Sequence, residues 1–154
     1  MSQRIEFHFK NPEDSPGFLL GQLTLLWQRK QKRVLDPLDL THTQFALLCA
    51  LAWLLRESDK VTQVDIAMQS NADRMMVSKV LRTLEEKQFI TRQEHPTDTR
   101  AKTIKLTPEG ERVLQKAIVS VETADLEFFN QIGTDVQTFN ATMAALIKEN
   151  AKKA

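Results

Sequence analysis

The stretch "EHPTDTRAKTIKLT", residues 94 to 107, places Asp98 two positions before Arg100 at the tip of a proline turn. A guanidinium held by a carboxylate loses less rotamer freedom when it binds a third group, so the pair can serve as an aimed cation. The plain alternative is a surface ion pair worth roughly 0 to 1 kcal/mol. A second set, Arg74, Met75, Ser78, Lys79 and Arg82, lies upstream at helical spacing. Its cations and hydroxyl suit phosphate oxygens and base edges, or else a solvated face. Catalytic chemistry has no comparable constellation. The sequence holds no glycine-rich phosphate loop and no nucleophile motif, and His8, His42 and His95 are scattered with no i, i+4 pair to grip zinc. Neither enzyme activity, cofactor nor metal is expected.

The totals bound the rest. The 154 residues, 42% of them hydrophobic, read as one domain able to bury a core. No secretory signal or membrane-spanning apolar run is visible, which suggests a soluble cytoplasmic protein with no membrane partner. The 21 basic and 20 acidic side chains give a net charge of only +1, so charge must be read locally. Between Asp73 and Lys105 eight Lys/Arg stand against five acids, a modest local excess of positive charge. Cys49 is the single cysteine, set between Leu48 and Ala50 with no basic neighbour to lower its pKa, and reads as a structural thiol.

The elements that must position these residues follow from periodicity. A first helix after "SPG" carries Phe18, Leu19, Leu23, Leu26 and Trp27 on one face and closes on "QRKQKR", which reads as a solvated end whose alternative is a phosphate contact. Thr41 with Gln44 forms a capping box for a second helix, and Thr62 with Asp65 starts a short third one through Met68. Asn71 suits a left-handed turn before the fourth. There Val77, Val80, Leu81 and Leu84 make the inner stripe, which turns Met75, Ser78, Lys79 and Arg82 outward at about 100° per residue. Short helix, tight turn and polar-faced helix outline a helix-turn-helix. "FITRQEH" and "AKTIKL" then form a hairpin, with Ile104 and Leu106 alternating against Thr103 and Lys105. Thr107 and Pro108 open a long helix to about Asn130; Gly133 interrupts it, and Thr134 with Gln137 starts the last helix, striped by Val136, Phe139, Met143, Leu146 and Ile147. Neither that stripe nor the first helix has an evident intramolecular cover, which favours burial between subunits.

This order resembles the MarR family of bacterial transcriptional regulators over roughly residues 15 to 150. The likeness is carried most specifically by "DRMMVSKVLRTLEEKQFI" (73 to 90) and "HPTDTRAKTIKLTPEG" (95 to 110). It implies a mainly α winged helix-turn-helix fold with a small two-stranded antiparallel wing. Residues 36–106 would form the DNA-binding lobe, and 15–35 and 107–150 the dimerisation helices. It also implies a homodimer that binds a pseudo-palindromic operator in double-stranded DNA, as a repressor released by a small-molecule effector. By position, Arg74, Met75, Ser78, Lys79 and Arg82 would face DNA from the recognition helix, and Arg100, oriented by Asp98 and accompanied by Lys102, from the wing. Trp27, His42 and Trp53 fall roughly where effector pockets lie in the family, although core packing is the ordinary fate of a tryptophan. Met75 and Met76 replace small hydroxyl residues common there, leaving apolar contact with a thymine methyl as one option. Gln88 replaces the usual glycine. The rival readings are a winged-helix module that binds a protein rather than DNA, and an enzyme.

Overall fold

The computed structural model describes residues 4–94, 96–97 and 101–152. Among them the elements run α1 (Pro16–Leu35), α2 (His42–Leu54), α3 (Gln63–Ser70), α4 (Arg74–Glu86), β1 (Ile90–Glu94), β2 (Lys102–Leu106), α5 (Pro108–Phe129) and α6 (Asp135–Ala151), with short 3-10 turns before α1, α2 and α6. This is the expected mainly helical architecture with a two-stranded wing.

The starts of these helices are written in side chains. Thr41 and Gln44 exchange hydrogen bonds with each other's backbone N–H at 3.1 Å, and Thr62 and Asp65 repeat the device at the head of α3. Each capping box satisfies two amide donors that the first turn of a helix leaves open. Two starts differ from expectation. Helix α1 begins at Pro16 under a Ser15 cap, ahead of Gly17. Thr134 stands in helical geometry and makes no side-chain cap, so the entry to α6 is set by the backbone reversal at Gly133 (φ 57°). Helix α3 continues two residues past Met68, to Ser70, whose hydroxyl bonds back to the Ile66 carbonyl at 2.6 Å, before Asn71 turns left-handed at φ 51°.

A core of Leu35, Leu47, Leu48, Leu51, Ile66, Val77, Leu81, Leu84, Ile90 and Ile104 joins α1 through β2 and extends along α5 through Leu114 and Ala117. The "QRKQKR" end is not wholly solvated: Gln31 is fully buried there. The wing pairs Ile90 with Leu106 through Glu94 with Lys102. On its far edge β2 meets the start of α3, where the Ile104 N–H donates to the Val61 carbonyl at 2.8 Å and Thr62 bridges Thr103. That third segment is why Thr103 is buried beside Ile104 instead of alternating outward.

The joint from α4 through the wing into α5 is closely built. Gln88 takes φ 64°, a left-handed position that disfavours a Cβ. Its carbonyl accepts the Thr107 hydroxyl at 2.6 Å, and that oxygen in turn accepts the Gly110 N–H at 2.9 Å to cap α5. Gln88→Gly is expected to stabilise the fold by roughly 0.5 to 1 kcal/mol, since relief of left-handed strain outweighs the unfolded-state entropy of glycine. Urea unfolding with an unchanged slope would read this as a higher midpoint; a lower one would mean that the glutamine side chain itself contributes.

Helix α6 buries none of its residues. It touches α5 through the Phe129 and Phe139 rings, 5.9 Å between centroids. Phe18, Leu19, Leu20, Leu25 and Leu26 of α1, with Leu146 and Ile147 of α6, stand exposed on a single protomer.

Candidate nucleic-acid interface

Helix α4 is the most strongly amphipathic surface of the lobe because its core positions, Val77, Leu81 and Leu84, recur on one side. The opposite side carries Met75, Lys79 and Arg82 at i, i+4 and i+7, within a stripe about 60° wide at the α-helical turn angle. All three are exposed, Arg74 is exposed beside them, and Ser78 is half-buried on the flank. No ion pair among the described residues engages Arg74, Lys79 or Arg82. Asp73 caps the helix, its Oδ1 accepting the Met75 and Met76 N–H groups at 2.9 and 3.0 Å.

Of the wing residues, Lys102 is exposed at the start of β2. Asp98 and Arg100 lie outside the described residues. Two cations of the basic segment turn out to be structural. Lys87 donates to the Asp39 carbonyl and to Gln44 Oε1 at 2.5 and 3.2 Å, tying the end of α4 to the start of α2. Arg92 is 18% exposed, its Nε 3.7 Å from the Glu85 carboxylate. Within the basic segment, the cations left without an ion pair among the described residues are Arg74, Lys79 and Arg82 of α4 and Lys102 and Lys105 of β2.

A second cluster joins α1, α2 and α5. The Trp27 and His42 rings meet edge to face at 4.7 Å. Asp125 Oδ1 accepts from Trp27 Nε1 at 2.8 Å and from Gln31 Nε2 at 2.6 Å, so one carboxylate oxygen holds two side chains of α1. Burial pushes the His42 imidazole below its ordinary pKa, and the Asp125 charge offsets part of this. Gln31 Oε1 and His42 Nδ1 are buried without a hydrogen-bond partner among the described residues. Trp53 does not join this pair. It sits three turns further along α2, about 16 Å by helical rise, 58% exposed with Arg56 stacked at 4.8 Å. It lies outside the core cluster. Cys49, half-buried on α2, has its thiol pushed up to about 11 by burial and by Glu122, so it stays protonated and weakly nucleophilic.

With these surfaces in view, the likeness to known proteins is informative. The MarR family profile matches residues 40–102, the span from just before α2 to the first residue of β2. A Bacillus subtilis protein described as an uncharacterized HTH-type transcriptional regulator, YdcH, is 43% identical over 127 residues, covering 81% of this chain and 86% of its own. The chain belongs to the MarR family. Among solved structures, a mutant of the Escherichia coli MarR complexed with operator DNA superposes with a TM-score of 0.78 at 24% identity, over 88% of this chain and 96% of that one. CouR from Rhodococcus jostii RHA1, bound to p-coumaroyl-CoA, gives 0.76 at 24% identity, over 90% and 94%.

In this MarR-family chain the exposed stripe of Met75, Lys79 and Arg82 lies on the side of α4 that periodicity turned outward. Gln31 and Asp125 are what a reading of the sequence missed. Asp125 lies 98 residues from Trp27, and only the packing of α1 on α5 makes them neighbours. No group of three or more His, Cys, Asp or Glu side chains that could hold a metal gathers among the described residues. No described helix is long and apolar enough to cross a membrane.

Proposed function

We propose that two copies of this chain, joined through α1 and α6, bind a pseudo-palindromic operator in double-stranded DNA and repress transcription until a small-molecule effector releases them. The observation that carries this reading is the outward stripe of α4, where Lys79 and Arg82 are exposed and unpaired among the described residues and stand in the same lobe as the wing. Helix α4 enters the major groove, and Arg100, steered by Asp98, enters the flanking minor groove. Residues 36–106 act as the DNA-binding lobe; 15–35 and 107–150 supply dimerisation. The exposed apolar faces of α1 and α6 support the dimer, since surfaces of that kind are rarely left to water. The cluster of Trp27, His42, Gln31 and Asp125 lies where α1 and α5 meet α2 of the DNA-binding lobe, and the ligand-bound CouR supports an effector acting on such a fold. An effector lowers operator affinity only by its preference for a dimer with wrongly spaced recognition helices. The regulator works in the cytoplasm and catalyses no reaction.

Footprinting on genomic fragments, beginning upstream of the chain's own gene, tests the proposal. If each protomer neutralises roughly four phosphates, affinity should fall with salt at a log-log slope near about −7. Arg100→Ala should lose about 1 to 3 kcal/mol per contact removed, in both half-sites. A slope near zero would favour a protein-binding winged helix. Unchanged binding by the variant would remove the wing from the mechanism while leaving α4 in it.

A further inference from the structure

The two adjacent methionines of α4 have opposite fates. Met76 packs against the core, whereas Met75 is 82% exposed in the first turn. A lone exposed methionine is usually unremarked, but this one heads the stripe that continues through Lys79 and Arg82. The amides around it are already committed. Asp73 accepts the Met75 and Met76 N–H groups, so the tip of α4 presents a carboxylate where a free helix N-terminus would grip phosphate. That tip is therefore poor at holding the DNA backbone and suited to the groove floor, where the first residues of a recognition helix meet base edges.

The thioether is no hydrogen-bond donor and only a weak acceptor. Pressed against the edge of guanine, adenine or cytosine, it would strip water from polar groups without replacing their bonds. Thymine is the exception, because its C5-methyl is the one apolar feature in the major groove, and an unbranched, polarisable side chain adapts readily to it. Resting on the DNA-binding reading above, we infer that Met75 is a specificity-determining residue that reads a thymine C5-methyl at one position of each operator half-site.

Deoxyuridine differs from thymidine only by that methyl. Full-length protein is titrated against footprinted operator duplexes in which each thymine of a half-site is replaced singly by deoxyuridine. At one position wild type should lose about fourfold in affinity, the value of one buried methyl group. Met75→Ala should bind more weakly overall and lose nothing further there, and Met75→Leu should keep the preference. A cytosine at that position should bind poorly, and 5-methylcytosine should recover part of the loss. Operator binding in which no thymine distinguishes wild type from Met75→Ala overturns the inference and leaves DNA binding intact. Failure of both proteins to bind any fragment removes the DNA reading itself, and this inference with it. Equal thermal midpoints for the variants exclude misfolding, since the side chain has no place in the core.

Discussion

Arg82→Ala is expected to weaken operator binding by about 1 to 3 kcal/mol in each half-site, and so by roughly twice that for the dimer, with no change in thermal midpoint. Affinity and stability separate because the side chain is exposed and bonded to nothing among the described residues. The readout also sorts what Arg82 touches. If its guanidinium forks onto a guanine, the variant relaxes preference at that base pair; if it holds phosphate, the loss is uniform across sequences and the salt slope falls by about one per protomer. Lys79→Ala belongs to the second pattern, since an ammonium is a point charge without a planar fork. Operator affinity left intact in an Arg82, Lys79 double variant would mean that this face of α4 does not meet DNA.

Gly110→Ala is expected to destabilise the fold by about 3 kcal/mol or more, the upper range for forcing an extra carbon into packed surroundings, which lowers the midpoint on the order of 10 °C. A Cβ there would stand 2.0 Å from the Phe89 carbonyl oxygen and 2.8 Å from its carbon. Both are backbone atoms and cannot swing aside. The same oxygen accepts the Thr107 N–H at 3.0 Å, so relief of the clash must prise α5 from the base of the wing. Gly21→Ala is the control, because nothing lies within 4 Å of its added carbon and α1 should gain from the better helix former. Equal stability of the Gly110 variant and wild type would show that α5 can start elsewhere at little cost.

These two glycines also mark how far the sequence can be read. Features set by neighbours a few residues apart were legible: the Thr41/Gln44 and Thr62/Asp65 boxes, the left-handed Asn71, the Thr107–Pro108 start and the inner stripe of α4 all depend on local geometry. Gly110 looks like any helical glycine until the approach of Phe89 is known. Gln31 sits in a run of cations that reads as solvent-facing, and only Asp125, on a helix 94 residues away, explains its burial. Trp53 is grouped with Trp27 and His42 only through the family resemblance; the helix itself sets it three turns beyond His42, with Arg56 stacked on its exposed ring. The outward stripe was legible because exposure on an amphipathic helix is the complement of burial. Which cations stay free was not: Lys87 and Arg92 counted toward a basic segment and are spent on structure.

The placement of the indoles has an optical consequence. With two tryptophans and no tyrosine, emission excited beyond the absorption of the eight phenylalanines comes from Trp27 and Trp53 alone. Trp53 is water-exposed, while Trp27 has its N–H on Asp125 and the His42 ring against its edge. A Trp53→Phe chain would therefore fluoresce only from the junction of α1, α2 and α5. The colour and lifetime of that light would follow any shift of the three helices without an added dye.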